Sequence, residues 1–334
     1  MQVLKLGRMA LPAVAGIVLA LNLLAAPANA QAQSGSNPTA QAVSEQQLLE
    51  ELQKIEGRVT LPNTAAGLLQ QPQGRDYRAF HEGALPWIGG IAIVGMLLLL
   101  AVAYFWKGPI RSEGPPTGVK IRRFNAVERL NHWMTATAFI VLAITGLNYF
   151  FGKRLLMPLL GPDLFSSWSH WAKLAHNFLA WPFMLGLLIM LIVWIWDNLP
   201  DRYDMAWLKA GGGMFGGGHP PAGRFNAGQK LIFWAVILGG VALSVSGVMM
   251  LFPFAFTDIN GMQWAQYVHA LVGVVLIAVI IVHIYTGTMG VEGSFTAMAT
   301  GEVDTGWART HHSAWLERQE ARRGAARGHV EPAE

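Results

Sequence analysis

The chain has 334 residues, 53% of them hydrophobic and only 13% charged, with a formal net charge of +4 and no cysteine. Soluble domains carry about 25% charged residues, so charge this sparse, gathered into short segments between long uncharged runs, excludes an ordinary soluble protein and marks a membrane protein. The lack of cysteine excludes disulfides, thiolate-held iron–sulfur clusters and Cys-x-x-Cys-His haem attachment, leaving His, Met or carboxylate to ligate any metal.

At the N-terminus, Lys5 and Arg8 precede an apolar stretch from residue 9 to residue 26, and Ala28-Asn29-Ala30 fits a small-x-small cleavage site. Residues 1–30 therefore read as a signal peptide whose removal leaves the new N-terminus outside the cytoplasm. Residues 31–86 form a polar exported segment, rich in Gln, Pro and Gly. Within it only 45–56 is predicted helical, with Leu48, Leu49, Leu52 and Ile55 on one face.

Five uncharged runs follow, at 83–106, 130–152, 174–196, 231–257 and 259–291. Each exceeds the roughly 20 residues that a helix needs to cross the hydrocarbon core. Lys107, Arg111, Lys120, Arg122, Arg123 and Arg129 lie between the first two runs. Arg202, Lys209, Arg224 and Lys230 lie between the third and fourth, and Arg309, Arg318, Arg322, Arg323 and Arg327 follow the fifth. The second-to-third connection has only Lys153, Arg154 and Lys173, and the last turn has no Lys or Arg. Basic connections stay cytoplasmic, so the mature N-terminus is expected in the periplasm and the C-terminus in the cytoplasm.

Four histidines fall within three of these spans. His132 starts the second near the cytoplasm, His176 starts the third near the outside, and the fifth carries His269 in its outer part and His283 near its inner end. His132 and His283 thus share the inner leaflet, and His176 and His269 the outer one. Each pair comes from two helices, which suits bis-histidine ligation of one haem iron. The residue one turn later is small in all four cases, Ala136, Ala180, Gly273 and Gly287, leaving room beside each ring. His170, followed one turn later by Leu174, is expected at the outer interface. His81, His219 and His329 lie in extramembrane segments.

Before the fourth span, Arg224-Phe225-Asn226-Ala227-Gly228-Gln229-Lys230 places Asn226 as a helix cap with Gln229 reaching back. Arg123 to Glu128 offers the second span a similar start. The stretch carries two compatible readings: a well-capped helix, and a polar pocket near His132 and His283 whose uncharged donors, Asn226 and Gln229, bond a quinone carbonyl. The glycine-rich stretch at 211–218 is a flexible loop without the Lys-Ser/Thr of a phosphate-binding loop. Trp307, Trp315 and the C-terminal arginines suit either a headgroup-lying helix or a solvated face. His311 and His312 read as polar surface residues.

The motifs Glu128-Arg129-Leu130-Asn131-His132-Trp133, Leu174-Ala175-His176, Asp197-Asn198-Leu199-Pro200-Asp201, Phe225 to Lys230, Tyr267-Val268-His269-Ala270 and His283-Ile284-Tyr285 stand in order along the chain. Gly293-Ser294, Gly301-Glu302-Val303 and Trp307 to His312 follow them. Together, over residues 120–320, they resemble the gamma subunit, the cytochrome b subunit, of membrane-bound quinone-linked formate dehydrogenases. The resemblance implies two haem b groups, the inner held by His132 and His283 and the outer by His176 and His269. It also implies reduction of menaquinone or ubiquinone beside Asn226, with Gln229 close by. Its partners would be an iron–sulfur beta subunit and a molybdenum or tungsten alpha subunit that oxidises formate, in the bacterial inner membrane, with lipid and not nucleic acid around it.

The expected fold class is an all-α membrane protein, a four-helix dihaem bundle over 123–292 with an extra N-terminal span at 87–106. A linker occupies 107–122 and a basic cytoplasmic tail 293–334. Two alternatives stand beside this. A cytochrome b of a hydrogenase or another periplasmic oxidoreductase is opposed by the 226–230 stretch and the His311-His312 region. A haem-free membrane anchor or transporter is opposed by the absence of a carboxylate within the five runs.

Overall fold

The structure, a computed structural model, describes residues 72–213 and 218–328. The expected signal peptide, the exported segment through residue 71 with its helix at 45–56, and His329 lie outside these residues. Five of the described helices are long and apolar enough to cross a membrane: Gly74–Lys107, Ala126–Leu155, Met157–Trp194, Ala227–Leu251 and Ile259–Gly290. The chain is an integral membrane protein built as a helical bundle.

The first of these begins earlier than hydropathy suggests. Helix α1 (Pro72–Ala79) passes through a π turn (Phe80–Ala84) into α2 (Leu85–Lys107). Residues 72–86, expected to be part of an irregular polar segment, are therefore helical. Their own composition does not favour a helix, and packing supplies what propensity lacks. Tyr77 hydrogen-bonds Gln266, the Tyr77 and Phe80 rings meet Tyr267 edge-on at 5.4 and 4.9 Å, and Arg154 donates to the Glu82 carbonyl.

Helix α3 (Ala126–Leu147) opens on a capping box. The Asn125 side chain accepts from the Glu128 amide, and Glu128 accepts from the Asn125 amide. Helix α4 (Met157–Trp194) is interrupted at Gly161, where φ is +76°. The connection expected between the second and third spans is thus mostly helix, with Asp163 and Lys173 on its exposed side. After the short α5 (Asp204–Lys209) comes α6 (Ala227–Leu251), whose cap is the second box, between Asn226 and Gln229. It stops at Leu251, short of the expected residue 257, because Pro253 cannot continue it. Helix α7 (Ile259–Tyr285) starts where Asp258 accepts from the Gly261 amide at 2.8 Å.

The spans pack in the order α3–α4–α6–α7–α2. Glycines set two of the crossings. A Cβ on Gly186 of α4 would lie 2.0 Å from Thr135 Oγ1 of α3, and one on Gly240 of α6 would lie 2.6 Å from Leu187 of α4. The extra span α2 leans on α7, where Gly89 leaves room for Val274. Much of its other face, including Ile91, Leu98, Val102 and Phe105, is exposed, as a lipid-facing helix requires.

One end of the bundle carries a cap. Strand β1 (Lys120–Arg122) pairs antiparallel with β2 (Glu302–Asp304), Ile121 facing Val303. Three helices complete it: α8 (Ser294–Thr300), α9 (Thr305–His311) and α10 (Ser313–Gly328). The linker and the basic tail are therefore one unit joined by a sheet.

The tail departs from two expectations. Trp307 and Trp315 are neither headgroup-lying nor solvated. They are buried against Ile121, Val303 and Leu316, with the Arg123 guanidinium 5.1 and 5.9 Å from their rings. His312 is not a surface residue but 1% exposed, its Nδ1 hydrogen-bonded to the Gly223 carbonyl at 2.8 Å. That bond satisfies the polar ring inside an apolar cap. His311 is half-buried, with its ring 5.0 Å from that of His219.

Candidate functional site

Helices α3 and α7 bring His132 and His283 together near the capped end, with ring centres 6.0 Å apart and planes inclined by 64°. Helices α4 and α7 bring His176 and His269 together toward the far end, at 6.1 Å and 57°. Both couples are the ones expected from the sequence. Fourteen residues of α7 separate its two histidines, about 21 Å along the axis and within about 40° of one face. His170 is exposed, its ring against Trp171 at 5.7 Å, and joins neither couple.

The spacing says what could lie between the rings. No hydrogen bond joins the two imidazoles of either couple among the described residues. An iron held between two imidazoles, with metal–nitrogen bonds of about 2.0 Å and each nitrogen about 1.1 Å from its ring centre, would need centres about 6.2 Å apart. Both couples come within a few tenths of an ångström of that span. No group of three or more His, Cys, Asp or Glu stands together among the described residues. Two imidazoles alone suit a metal that brings its own equatorial ligands, as a porphyrin iron does. The donor set and the gap therefore fit haem.

Room around the rings comes partly from the expected small residues. A Cβ on Gly287 would meet nothing within 4 Å, and one on Gly273 would touch only Leu243 at 3.8 Å. The closer fits come from two glycines on the facing helices. Gly146 of α3 would carry its Cβ 3.5 Å from His176 Cε1, and Gly247 of α6 would carry its Cβ 3.2 Å from His269 Cε1. Beside each glycine stands a hydroxyl that bonds the same ring. Thr145 Oγ1 lies 2.8 Å from His176 Nδ1, and Ser246 Oγ lies 3.0 Å from His269 Nδ1. Sequence reading passed over these residues, although the hydroxyl–glycine dipeptide occurs on both facing helices. At the capped end no such hydroxyl is found among the described residues, and His132 Nδ1 is buried without a hydrogen-bond partner.

Around the capped-end couple the polar groups are densely tied. Glu128, 4% exposed, accepts from Arg224 at 2.6 Å and from Trp194 Nε1 at 2.7 Å, and Arg224 also reaches Asp197 at 2.8 Å. Arg129 donates to the carbonyls of Met298 and Ala299, and Trp133 to that of Met298, so α8 lies across the start of α3 beside His132. Lys230 is buried against Asp201 at 3.0 Å and Asp204 at 2.9 Å. Arg123 donates to the Arg224 carbonyl at 2.7 Å and to Gln229 Oε1 at 3.4 Å. Burial, and then the charge of Arg224, push its pKa down to about 9, which leaves it a cation at neutral pH.

Asn226 and Gln229 cap each other: Asn226 Oδ1 accepts from the Gln229 amide at 2.9 Å and Gln229 Oε1 from the Asn226 amide at 3.1 Å. Both side-chain oxygens are used by the cap. The two side-chain NH2 groups are the donors that remain for another molecule.

Residues 123–301 match the family described as Prokaryotic cytochrome b561. The chain is 37% identical over 201 residues to the formate dehydrogenase cytochrome b556(fdo) subunit of Escherichia coli strain K12, covering 58% of this chain and 91% of that protein. Its likeness to the nitrate-inducible formate dehydrogenase cytochrome b556(Fdn) subunit of the same strain is 30% over 219 residues, covering 62% and 97%. The formate dehydrogenase cytochrome b556 subunit of Haemophilus influenzae is 31% identical over 204 residues, covering 59% and 82%. With the histidine couples standing inside the matched region, the chain belongs to the prokaryotic cytochrome b561 family, among the formate dehydrogenase cytochrome b subunits.

Proposed function

We propose that this chain binds two haem b groups and passes electrons from a formate-oxidising partner to quinone. His132 and His283 hold the haem at the capped end, and His176 and His269 hold the one toward the far end. The observation that carries this reading is the ring-centre spacing of 6.0 and 6.1 Å in two couples that share α7. With two imidazoles to hold each haem, His132 with His283 and His176 with His269 would leave no place at the metal for water or dioxygen, and each haem would supply one-electron transfer there.

Quinone reduction consumes two electrons and two protons. Asn226 and Gln229 sit at the capped end with amide donors available for a quinone carbonyl, and the capping boxes hold that corner rigid. The basic residues of 107–129, 202–230 and the tail flank this end, which orients it toward the cytoplasm and puts the mature N-terminus in the periplasm of a bacterial inner membrane. Protons for quinone then come from the cytoplasm. The far end receives electrons from an iron–sulfur beta subunit, which draws on a molybdenum or tungsten alpha subunit where formate is oxidised. The relatives named above are subunits of formate dehydrogenases, which supports this assembly. The extra span at 87–106 precedes the matched region and is assigned to bracing the iron–sulfur subunit.

Haem quantification on the purified complex tests the proposal, with two haems per chain expected. His269→Ala should leave one haem and stop formate-to-quinone transfer. One haem in the unaltered protein, or two retained in His269→Ala, refutes the ligand assignment.

A further inference from the structure

The two histidine couples are supported differently. At the far end each imidazole meets a hydroxyl from a neighbouring helix, and each hydroxyl has already committed its only proton. Thr145 Oγ1 donates to the Val141 carbonyl at 2.7 Å, and Ser246 Oγ donates to the Ala242 carbonyl at 2.6 Å. Keeping both bonds of each hydroxyl requires its oxygen to accept from the imidazole, the arrangement in which Nδ1 of both His176 and His269 carries a proton. With Nδ1 protonated, the lone pair of a neutral ring sits on Nε2, the nitrogen left to bind a metal. The adjacent glycines, Gly146 and Gly247, let both rings approach the facing helix closely enough to make these bonds. The capped-end couple has no equivalent, for His132 Nδ1 is buried without a partner.

We infer that Thr145 and Ser246 are positioning residues for the far-end haem, fixing the ligand tautomer and ring orientation of His176 and His269 and lowering the reduction potential at that site. The inference rests on the proposed ligation by those two histidines. An imidazole that donates its Nδ1 proton to an acceptor becomes a more basic ligand through Nε2, and a more basic axial ligand stabilises the ferric state. A low-potential site at the far end and a higher one at the capped end bias electron flow toward the quinone corner. The asymmetry between the couples thus acts as a direction built into helix packing.

The test is an optical redox titration of the purified complex. His269→Ala identifies the far-end component as the one that disappears. Thr145→Val and Ser246→Ala should each raise the potential of that component, the double variant should raise it further, and the capped-end component should stay in place. Thr145→Ser should titrate like the unaltered protein. Ser244→Ala is the control: its hydroxyl donates to the Gly240 carbonyl at 2.7 Å on the same helix and bonds neither histidine, so it should shift nothing. Loss of the far-end haem from Thr145→Val but not from Thr145→Ser also supports the inference. Equal loss from both overturns it. An unmoved far-end potential with haem bound, or an equal shift in Ser244→Ala, overturns it while the ligand assignment stands. If no component disappears from His269→Ala, the ligand assignment itself has failed.

Discussion

Gly186→Ala is a small substitution with a large expected effect. In an isolated helix it would stabilise by about 0.5–1 kcal/mol, because glycine loses more backbone freedom on folding. Here the added methyl would lie 2.0 Å from Thr135 Oγ1, 3.0 Å from Thr135 Cβ and 3.3 Å from Thr135 Cγ2. The hydroxyl is held by its bond to the Asn131 carbonyl at 2.7 Å, and rotating it away leaves Cβ still too near. Helices α3 and α4 must therefore part by about 1 Å, at an overpacking cost of about 1–3 kcal/mol. His132 lies one turn before Thr135 on the same helix, and metal–ligand distances tolerate only about 0.2 Å. The expected outcome is a lower thermal midpoint in detergent and loss of the capped-end haem, with the far-end haem retained. Thr135→Ala in the same chain removes Oγ1 and Cγ2, leaving only the 3.0 Å approach of Cβ, and should restore part of both, giving a coupling of about 1–2 kcal/mol in a double-mutant cycle. Wild-type haem content and midpoint in Gly186→Ala, or failure of Thr135→Ala to restore them, would refute the reasoning.

Other outcomes follow from the capped end. Asn226→Asp keeps a capping acceptor but replaces the NH2 donor, so both haems should remain while the KM for quinone rises several-fold. An unchanged KM in steady-state assays would move quinone elsewhere. Glu128→Ala strips Arg224, Trp194 and the Asn125 amide of one shared acceptor and should destabilise by about 3–5 kcal/mol, read as a falling midpoint of unfolding. Within the cap, burial, then the charge of Arg123, holds the His312 pKa well below its ordinary value, and burial, then the charge of His219, brings that of His311 down to about 4. For a histidine whose folded pKa is depressed, the unfolded chain binds the proton first. Stability is then full above pH about 6.5 and falls as pH drops from there toward 4. Protection factors of the 302–316 amides, corrected for the intrinsic exchange rate at each pH, should fall over that window, and His312→Asn should flatten the dependence; protection factors that stay constant with pH in the unaltered protein would contradict it.

Much of this protein was readable along the chain because membrane crossing is a local property. A run of apolar residues long enough to span hydrocarbon announces a helix wherever it later packs, and the matched depths of His132, His176, His269 and His283 on three spans already implied which two could meet. The capping boxes at Asn125 and Asn226 were equally legible, since the partners stand three residues apart. What linear reading left out depends on how helices are turned toward each other. Thr145 and Ser246 reach histidines 31 and 23 residues away, and only the rotation of α3 against α4 and of α6 against α7 aims them. Residues 72–82 carry no helical signal of their own and take their form from Gln266, Tyr267 and Arg154. Trp307, Trp315 and His312 look like interface or surface residues until β1 and β2, 180 residues apart, pair and bury them. Solvent and bilayer set the elements from composition; which polar atom finds which partner was decided only when the tertiary contacts closed.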